Sequence, residues 1–314
     1  MRTPPWARGI LFAAPLVAVL SSLELGLRYG AERHFGGQVG KVNQVMQHRI
    51  DPELAIFGAS NALMGFDAPL IEKMTGLKTF NFAKDGTYFV QYQALVREFA
   101  AYARKPRIVV FAETYLTFVP THALRNPGDY LPYFSSPNIY EVFRDIDSEL
   151  TWKLRYIPYY SFVVADVEYY SASLRGYREL LGKPAIENER QGFFPRGGGW
   201  HENGSPSQLP PLNAAGSDRV AGQFAELVSR FERKGTPVVV VVMPVDRECR
   251  SAVPDFDARK RRLSAMLGDR GTFLDYSDHP MASDRANFYD CGHLNARGAE
   301  RFSEAFANDL TAIK

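Results

Sequence analysis

The sequence predicts a doubly wound α/β/α structure, in which helices cover both faces of a central parallel sheet of about five strands. Short apolar runs alternate with longer amphipathic segments, which is the order of successive βαβ units. One run, residues 238–242, is five consecutive valines and suits a strand buried on both faces. A chain of 314 residues that is 46% hydrophobic is long enough for one large domain with an insertion.

Each predicted strand is an apolar run bounded by turn or helix signals, and the five runs are residues 54–58, 80–83, 108–112, 238–243 and 273–275. Apolar side chains at helical spacing predict a helix over residues 89–99, between the second and third strands. Another helix is predicted at residues 220–231, with Gly235 closing it. Asn295 can cap a last helix that carries Phe302 on its apolar face.

The N-terminus has the residue order of a membrane anchor. Arg2 and Arg8 precede an apolar run at residues 10–20, and Glu24 interrupts the apolar stretch. The run is shorter than the roughly 20 residues of an ideal span, so a buried core helix is the alternative. Because no small-x-small cleavage site follows, we expect residues 1–30 to form an uncleaved N-terminal transmembrane helix. Residues 31–314 would then form one domain outside the cytoplasm.

The stretch of residues 115–211 breaks the βαβ rhythm and is dense in aromatic residues and proline. Such a segment could line a substrate groove, or it could pack as an inserted helical subdomain. Packing is the favoured interpretation, because most aromatic side chains are buried for their area rather than for a ligand. The sequence therefore predicts an aromatic-rich insertion in the domain.

Charge and cysteine content exclude several classes of protein. The formal net charge is only +2, so we expect no nucleic-acid partner. No set of histidines and carboxylates has the spacing of metal ligands, and we expect neither a metal nor a cofactor. Cys249 and Cys291, the only cysteines in the sequence, could form one disulfide in an oxidising compartment.

A candidate nucleophile follows the first predicted strand, where the sequence reads Gly58-Ala59-Ser60-Asn61. A serine that attacks a carbonyl is well placed in a tight turn after a buried strand, because nearby backbone N–H groups can face the developing oxyanion. This pattern alone is weak evidence, since serines in turns commonly bond their own backbone.

A candidate base lies just before the last helix, in the segment Asp290-Cys291-Gly292-His293. An aspartate three residues before a histidine can hold the imidazole in one tautomer while the other ring nitrogen faces a nucleophile. A capping aspartate beside a surface histidine would give the same pattern, so this signal too is ambiguous on its own.

Together and in order, these segments resemble the SGNH (GDSL-like) hydrolase superfamily, and more closely its membrane-anchored DltD-like and alginate O-acetyltransferase-like branches. Ser60 matches the nucleophile block, and Asp290-x-x-His293 followed by Leu294-Asn295 matches the terminal block. Residues 65–67, 80–86 and 105–110 follow the spacing of such proteins. The resemblance covers roughly residues 51–119 and 235–310, and the segment 24–28 is similar to the start of many such proteins.

The resemblance implies a flavodoxin-like three-layer fold, a triad of Ser60, Asp290 and His293, and an oxyanion hole built from the backbone N–H groups of Ser60 and Gly86. The chain departs from the superfamily after the third strand, where Ala112-Glu113-Thr114 replaces the usual block with an oxyanion-holding asparagine. Losing one donor can cost on the order of 3 kcal/mol of transition-state stabilisation. Thr114 is a candidate replacement donor, and Asn61 and Glu113 could line the site.

The resemblance also implies serine-dependent acyl transfer through an acyl-Ser60 intermediate, with O-acetylation of an exported polysaccharide or cell-envelope glycan as the expected reaction. An acyl donor and a glycan acceptor are then the substrates. Because coenzyme A thioesters are cytoplasmic, a multi-spanning membrane acyltransferase is the expected partner. We expect a single-pass inner-membrane protein with its catalytic domain in the periplasm. A periplasmic carbohydrate or lipid esterase, or a non-catalytic polysaccharide-assembly scaffold with the same fold, are the alternatives.

Overall fold

The central sheet has the predicted parallel arrangement. The computed structural model describes residues 5–104, 106–114, 116–183, 189–201 and 216–313. Its five strands lie in the order β2-β1-β3-β4-β5, and every neighbouring pair is parallel. The strands are β1 (Leu54–Gly58), β2 (Thr79–Asn81), β3 (Ile108–Glu113), β4 (Val238–Val242) and β5 (Thr272–Asp275). The first has its predicted bounds, and the ends of the others differ from the prediction by at most two residues.

Helices surround the sheet in the described part of the chain. The α-helices that precede β4 are α1 (Pro5–Ala31), α2 (Gly37–Met46), α3 (Ser60–Gly65), α4 (Ala68–Thr75), α5 (Phe89–Tyr102), α6 (Pro137–Ile146), α7 (Ser148–Tyr156), α8 (Ser161–Val164), α9 (Val167–Leu180) and α10 (Ser217–Arg233). Those that follow it are α11 (Arg247–Ser251), α12 (Phe256–Leu267) and α13 (Ala296–Ile313). Short 3₁₀ segments lie at Pro127–Tyr133, Gly268–Arg270, Pro280–Ser283 and Arg285–Asn287.

Two apolar cores separate the sheet from its helices, because successive side chains of a strand point to opposite faces. Phe57, Phe111 and Val240 belong to the core shared with α2, α5, α6, α10 and α12. Ile56 and Val241 belong to the core shared with α3, α4 and α13. Every residue of β1, β3 and β4 is buried, which explains why these strands are continuous apolar runs. The arrangement is a three-layer α/β/α structure.

The N-terminal segment forms a long helix followed by a short buried one. The predicted anchor region 1–30 largely coincides with α1, although Arg2 lies outside the described residues. The polar stretch that follows contains α2, whose apolar side chains Val39, Val42 and Val45 are buried. Across the residues that the structure describes, no helix combines the length and the apolarity that a membrane crossing requires.

The aromatic insertion is mostly helical between residues 127 and 180, and Tyr115 and residues 184–188 and 202–215 lie outside the described residues. Tyr130 and Phe134 are buried in the core on the α5 face of the sheet, and Tyr130 meets Phe143 of α6 edge to face. Packing therefore explains this part of the insertion. Trp152 and Tyr156 of α7 are instead more than half exposed.

Candidate active site

Ser60 stands at the carboxyl end of β1, as the first residue of α3. The turn between them is tight because Gly58 has no side chain. A Cβ atom on Gly58 would lie 2.6 Å from Cβ of Ala62 and 2.7 Å from the carbonyl oxygen of Ala112. The glycine lets α3 begin directly against the sheet, and the hydroxyl of Ser60 points to the edge where parallel strands end.

The turn that carries Asp290 and His293 is held by its own hydrogen bonds. Oδ1 of Asp290 accepts from the backbone N–H groups of Gly292 and His293, both at 3.0 Å. Asn295 then caps α13, because its Oδ1 accepts from the N–H of Gly298 at 3.0 Å. Its amide nitrogen donates to the carbonyl oxygen of Ala286 at 2.9 Å, and so connects the turn to the preceding 3₁₀ segment. Both predictions for this segment, the turn and the Asn295 cap, agree with the structure.

The structure brings the three predicted triad residues together. Oγ of Ser60 lies 2.8 Å from Nε2 of His293. The other ring nitrogen, Nδ1, lies 2.8 Å from Oδ1 and 2.9 Å from Oδ2 of Asp290. A carboxylate can only accept, so Nδ1 carries the proton and Nε2 is left to accept from the hydroxyl of Ser60. This is the polarity that a serine nucleophile and a histidine base require.

The charge of Asp290 is maintained by its surroundings. Burial has the largest single effect and would raise the pKa of this carboxyl group, but the hydrogen bond and the charge of His293 act in the opposite direction. The N–H groups of Gly292 and His293 lower the pKa further, so that it lies below its ordinary value. Asp290 is therefore a carboxylate at neutral pH, and it can stabilise a positive charge on the imidazole.

A cavity of about 200 Å³ opens beside Ser60 at the carboxyl edge of the sheet. Besides Ser60, five of the predicted site residues line this cavity: Asn61, Gly86, Glu113, Thr114 and His293. Asp290 lies behind His293. The volume of the cavity is smaller than the roughly 300–1,000 Å³ of a typical drug-sized pocket, and its wall is mostly apolar. It has room for a short acyl group but not for a whole sugar chain.

The predicted oxyanion donors differ in how they are engaged. The backbone N–H of Ser60 belongs to the first turn of α3, where N–H groups have no partner within the helix. The N–H of Gly86, in contrast, donates to Oδ1 of Asp85 at 2.8 Å. Gly86 has a φ of +60°, which favours glycine at this turn. Its N–H would have to leave Asp85 before it could bind an oxyanion.

Two side chains near Ser60 are further potential donors. The amide nitrogen of Asn61 is buried and has no hydrogen-bond partner among the described residues. A buried amide without a partner is costly in a folded protein, so it indicates a group that a ligand could satisfy. Thr114 already has local bonds: its hydroxyl oxygen accepts from the N–H of Leu116 at 3.1 Å.

A buried carboxyl group closes the inner wall of the cavity. Glu113, the last residue of β3, accepts from the hydroxyl of Tyr92, and its Oε2 accepts from the hydroxyl of Thr117 at 2.7 Å. Burial raises the pKa of Glu113 to about 7, although both hydrogen bonds act in the opposite direction. Glu113 therefore changes its charge near neutral pH, close to the nucleophile.

Several cavity residues were not identified from the sequence. Tyr92 was assigned to the apolar stripe of a helix, and its hydroxyl group was the only signal of a second role. Tyr88, Thr117 and Arg125 also line the cavity. Arg125 belongs to the insertion, and its N–H donates to Oε1 of Gln91 at 2.8 Å. None of these four side chains follows a motif, so only the fold brings them to the site.

A disulfide lies next to the triad turn, as the sequence had suggested. Cys249 of α11 is bonded to Cys291, and their Cα atoms are 5.5 Å apart. The N–H of Asp246, the residue that caps α11, donates to the carbonyl oxygen of Cys291 at 3.1 Å. The segment after β4 is thus joined twice to the turn that carries His293.

Comparison with known proteins gives neither a matching protein family nor a matching curated protein.

Proposed function

We propose that this protein is a serine acyl-transfer enzyme of the SGNH type. The observation that carries the proposal is the hydrogen-bonded series from Ser60 through His293 to Asp290, at the mouth of a cavity. Each group has the partner and the protonation state that nucleophilic catalysis needs. A serine hydroxyl that merely satisfied a turn would bond its own backbone rather than an imidazole 233 positions away.

In the proposed reaction, the oxygen of Ser60 attacks the carbonyl carbon of an acyl donor while Nε2 of His293 takes the hydroxyl proton. The tetrahedral intermediate collapses, the leaving group receives that proton from His293, and an ester on Ser60 remains. An acceptor hydroxyl then gives its proton to His293 and attacks the ester, and the second tetrahedral intermediate releases the oxygen of Ser60, which takes that proton back from His293. Asp290 remains a carboxylate throughout and stabilises the transient imidazolium ion.

Negative charge on the carbonyl oxygen must be stabilised by nearby donors. The N–H of Ser60 is available for this role, and the amide of Asn61 is the side chain next to it. We propose that Asn61 compensates for the missing asparagine after β3, where the sequence reads Ala112-Glu113-Thr114 instead. Gly86 can contribute once its N–H is released from Asp85.

The small cavity supports a short acyl group, of which acetyl is the simplest. We propose an exported polysaccharide or cell-envelope glycan as the acceptor, because the sequence resembles enzymes with such acceptors. In the esterase alternative, water takes the place of the acceptor hydroxyl. The scaffold alternative leaves the alignment of Ser60, His293 and Asp290 without a role.

The location of the protein is part of the same proposal. We propose that α1 anchors the protein in the inner membrane, with the remaining domain in the periplasm and a multi-spanning acyltransferase as donor of the acyl group. The support is the order of Arg8 and the apolar run at residues 10–20. A disulfide between Cys249 and Cys291 also suits an oxidising compartment.

The decisive experiment is to trap the acyl-enzyme. The full chain in detergent is incubated with an activated acetyl ester, quenched early and digested, and the acetyl group is located by peptide mass spectrometry. We expect it on Ser60, and we expect none in Ser60→Ala. A folded Ser60→Ala variant that turns over the ester at the wild-type rate would overturn the mechanism. Adding an oligosaccharide acceptor then separates transfer from hydrolysis by the product formed.

A further inference from the structure

Exposed apolar side chains are concentrated on one part of the surface. Among the described residues, every large hydrophobic side chain that is exposed, apart from Met74 and Ile313, belongs to α1 or to the segment from α7 to the end of α9. The members outside α1 are Trp152, Tyr156, Ile157, Val163, Val167, Tyr170, Leu174, Tyr177, Leu180 and Leu181. We call these ten residues the α7–α9 surface. Scattered apolar residues are normal on a protein, but a concentration of this size indicates a binding surface.

Helix α9 shows the pattern most clearly. Val167, Tyr170, Leu174, Tyr177 and Leu181 are exposed, and their spacing of three and four residues places them on one face. The opposite face is buried, since Ala172, Ser173 and Gly176 pack inward. Apart from Tyr177, which also contacts α1, the exposed apolar stripe is therefore additional to the face that holds α9 to the protein.

The α7–α9 surface is continuous with α1. The hydroxyl of Ser173 donates to the carbonyl oxygen of Leu27 at 2.8 Å, and that of Tyr177 donates to the carbonyl oxygen of Gly26 at 2.7 Å. A third contact joins α1 to the segment between α7 and α8, where Oγ of Ser21 lies 2.8 Å from the hydroxyl oxygen of Tyr159. Leu16, Val19 and Leu23 of α1 are themselves more than half exposed. The apolar surface thus extends from the N-terminal helix onto the insertion.

The composition of the surface is that of a protein face at a lipid headgroup layer. Trp152, Tyr156 and Tyr170 combine an apolar ring with a polar group, which is the property of aromatic residues at membrane interfaces. Arg155 lies beside them on α7, with its guanidinium 5.4 Å from the ring centre of Tyr156, while Lys153 of the same helix pairs with Glu149. A side chain such as Arg155 can place its apolar stem in the membrane interface while its charge reaches the anionic headgroups.

We infer that the α7–α9 surface lies in the headgroup layer of the bilayer, as a second membrane contact beside α1. The inference rests on the proposed membrane location of α1. A lipid surface fits better than a second protein, because the exposed side chains are distributed over three helices and around α1 instead of forming one groove. This membrane contact gives the insertion a role, because it would orient the domain on the membrane.

The experiment uses the full chain and two labelled positions. Leu174→Cys places a label on the α7–α9 surface, where the side chain is 66% exposed. Met74→Cys is the matched control, because Met74 is an exposed apolar residue, 38% accessible, on α4. Each variant carries an environment-sensitive nitrobenzoxadiazole fluorophore and is reconstituted in vesicles of phosphatidylcholine and phosphatidylglycerol. Both substitutions leave the folded core intact, which circular dichroism and thermal melting verify.

We expect the label at position 174 to emit at shorter wavelength, to be quenched by brominated lipids, and to be quenched severalfold less by aqueous iodide than the label at position 74. Equal iodide quenching at the two positions, in protein that co-sediments with vesicles, would overturn the surface contact and leave α1 as the anchor. Protection of position 174 from iodide without quenching by brominated lipids would instead indicate contact with another protein copy, and would also overturn it. Protein that does not co-sediment would overturn both membrane contacts. None of these outcomes alters acyl-Ser60 trapping, which tests the proposed reaction separately.

Discussion

Cys249 and Cys291 join two segments that meet beside the candidate active site, and their bond fixes the turn two residues before His293. The cysteines are 42 positions apart, and the loop between them contains α12 and β5. Since Asp290 and His293 flank Cys291, the disulfide restrains the base as well as the fold. Stability and activity should therefore depend on it together.

We expect the paired substitution of Cys249 and Cys291 by serine to lower the free energy of unfolding by about 2–4 kcal/mol. The disulfide closes a loop and so lowers the entropy of the unfolded chain, and the variant regains that entropy. The measurement is urea unfolding of the full chain in detergent, followed by tryptophan fluorescence. The oxidised and reduced wild type serve as controls. If reduction leaves the midpoint unchanged, the bond does not stabilise the native state.

Ser60→Ala and His293→Ala should each lower the rate of ester turnover by on the order of 10⁴-fold or more, by comparison with other serine triads. The double variant should lose little more than either single variant, because the two side chains act as one unit. Steady-state kinetics with an activated acetyl ester measure all three. Losses that multiply in the double variant would show that the residues act independently.

Asp290→Asn tests the orientation of the imidazole. The N–H groups of Gly292 and His293 favour the amide oxygen at the Oδ1 position, so the amide nitrogen takes the Oδ2 position and donates to Nδ1. This favours the tautomer with its proton on Nε2, where it blocks acceptance from Ser60. We expect a loss of on the order of 10⁴-fold in kcat with little change in the melting temperature. Asp284→Asn, an exposed carboxyl group that caps a 3₁₀ turn, is the matched control and should retain its activity. Activity of Asp290→Asn at a wild-type rate would remove Asp290 from the mechanism.

Glu113 should make the protein less stable as the pH rises. Its pKa is about 7 in the folded protein, against an ordinary value of 4.5, so the folded state retains a proton that the unfolded state has lost. Between these two values the free energy of unfolding falls with increasing pH, by up to about 3 kcal/mol in total. Above the pKa of Glu113 in the folded state this loss of stability is complete, and below its pKa in the unfolded state there is no loss.

Glu113→Gln should remove this part of the pH dependence, because an amide does not titrate in this range. The comparison is urea unfolding of the wild type and the variant under mildly acidic and mildly alkaline conditions. The variant should gain stability relative to the wild type on the alkaline side. Parallel pH profiles for the two proteins would show that Glu113 is ionised in the folded state throughout.

The contact between α1 and α9 depends on two glycines. A Cβ atom on Gly176 would lie 1.8 Å from the carbonyl oxygen of Gly30, so Gly176→Ala forces the helices apart. We expect a loss of about 1–3 kcal/mol in stability and faster proteolysis within α1. Gly222→Ala is the control, since that glycine is in α10 and its Cβ would have nothing within 4 Å. Alanine there should stabilise the helix by up to about 1 kcal/mol. Equal melting temperatures for the two variants would contradict the close crossing.

The sheet could be predicted from the sequence because its strands are buried on both faces. β1, β3 and β4 are runs of apolar residues with turn signals at their ends, so their positions follow from local sequence. The helices of the insertion could not be placed in the same way. Their aromatic residues lack a single period, because Tyr130 is buried in the core while Trp152 and Tyr156 face outward.

The residues of the triad were predictable for a different reason. The signals of Ser60 and of His293 are each ambiguous alone, and they pointed to a site only together, because both segments match, in order, blocks of the superfamily that the sequence resembles. Tyr92 and Thr117 lie in the same cavity but have no such local signal. A tyrosine at helical spacing has the pattern of a core residue, and only the pairing of its hydroxyl group with Glu113 distinguishes it.

The close crossing of α1 and α9 also limits how far Ser60 can move relative to α1. α1 is one helix of 27 residues, about 40 Å long, and its last turns are fixed to α9 by the contacts of Gly26, Leu27 and Gly30. This helix is therefore a rigid connection, and the position of its first turns determines where Ser60 lies relative to whatever holds them. Under the proposed function, the acyl donor and its acceptor would then both have to be delivered to one place.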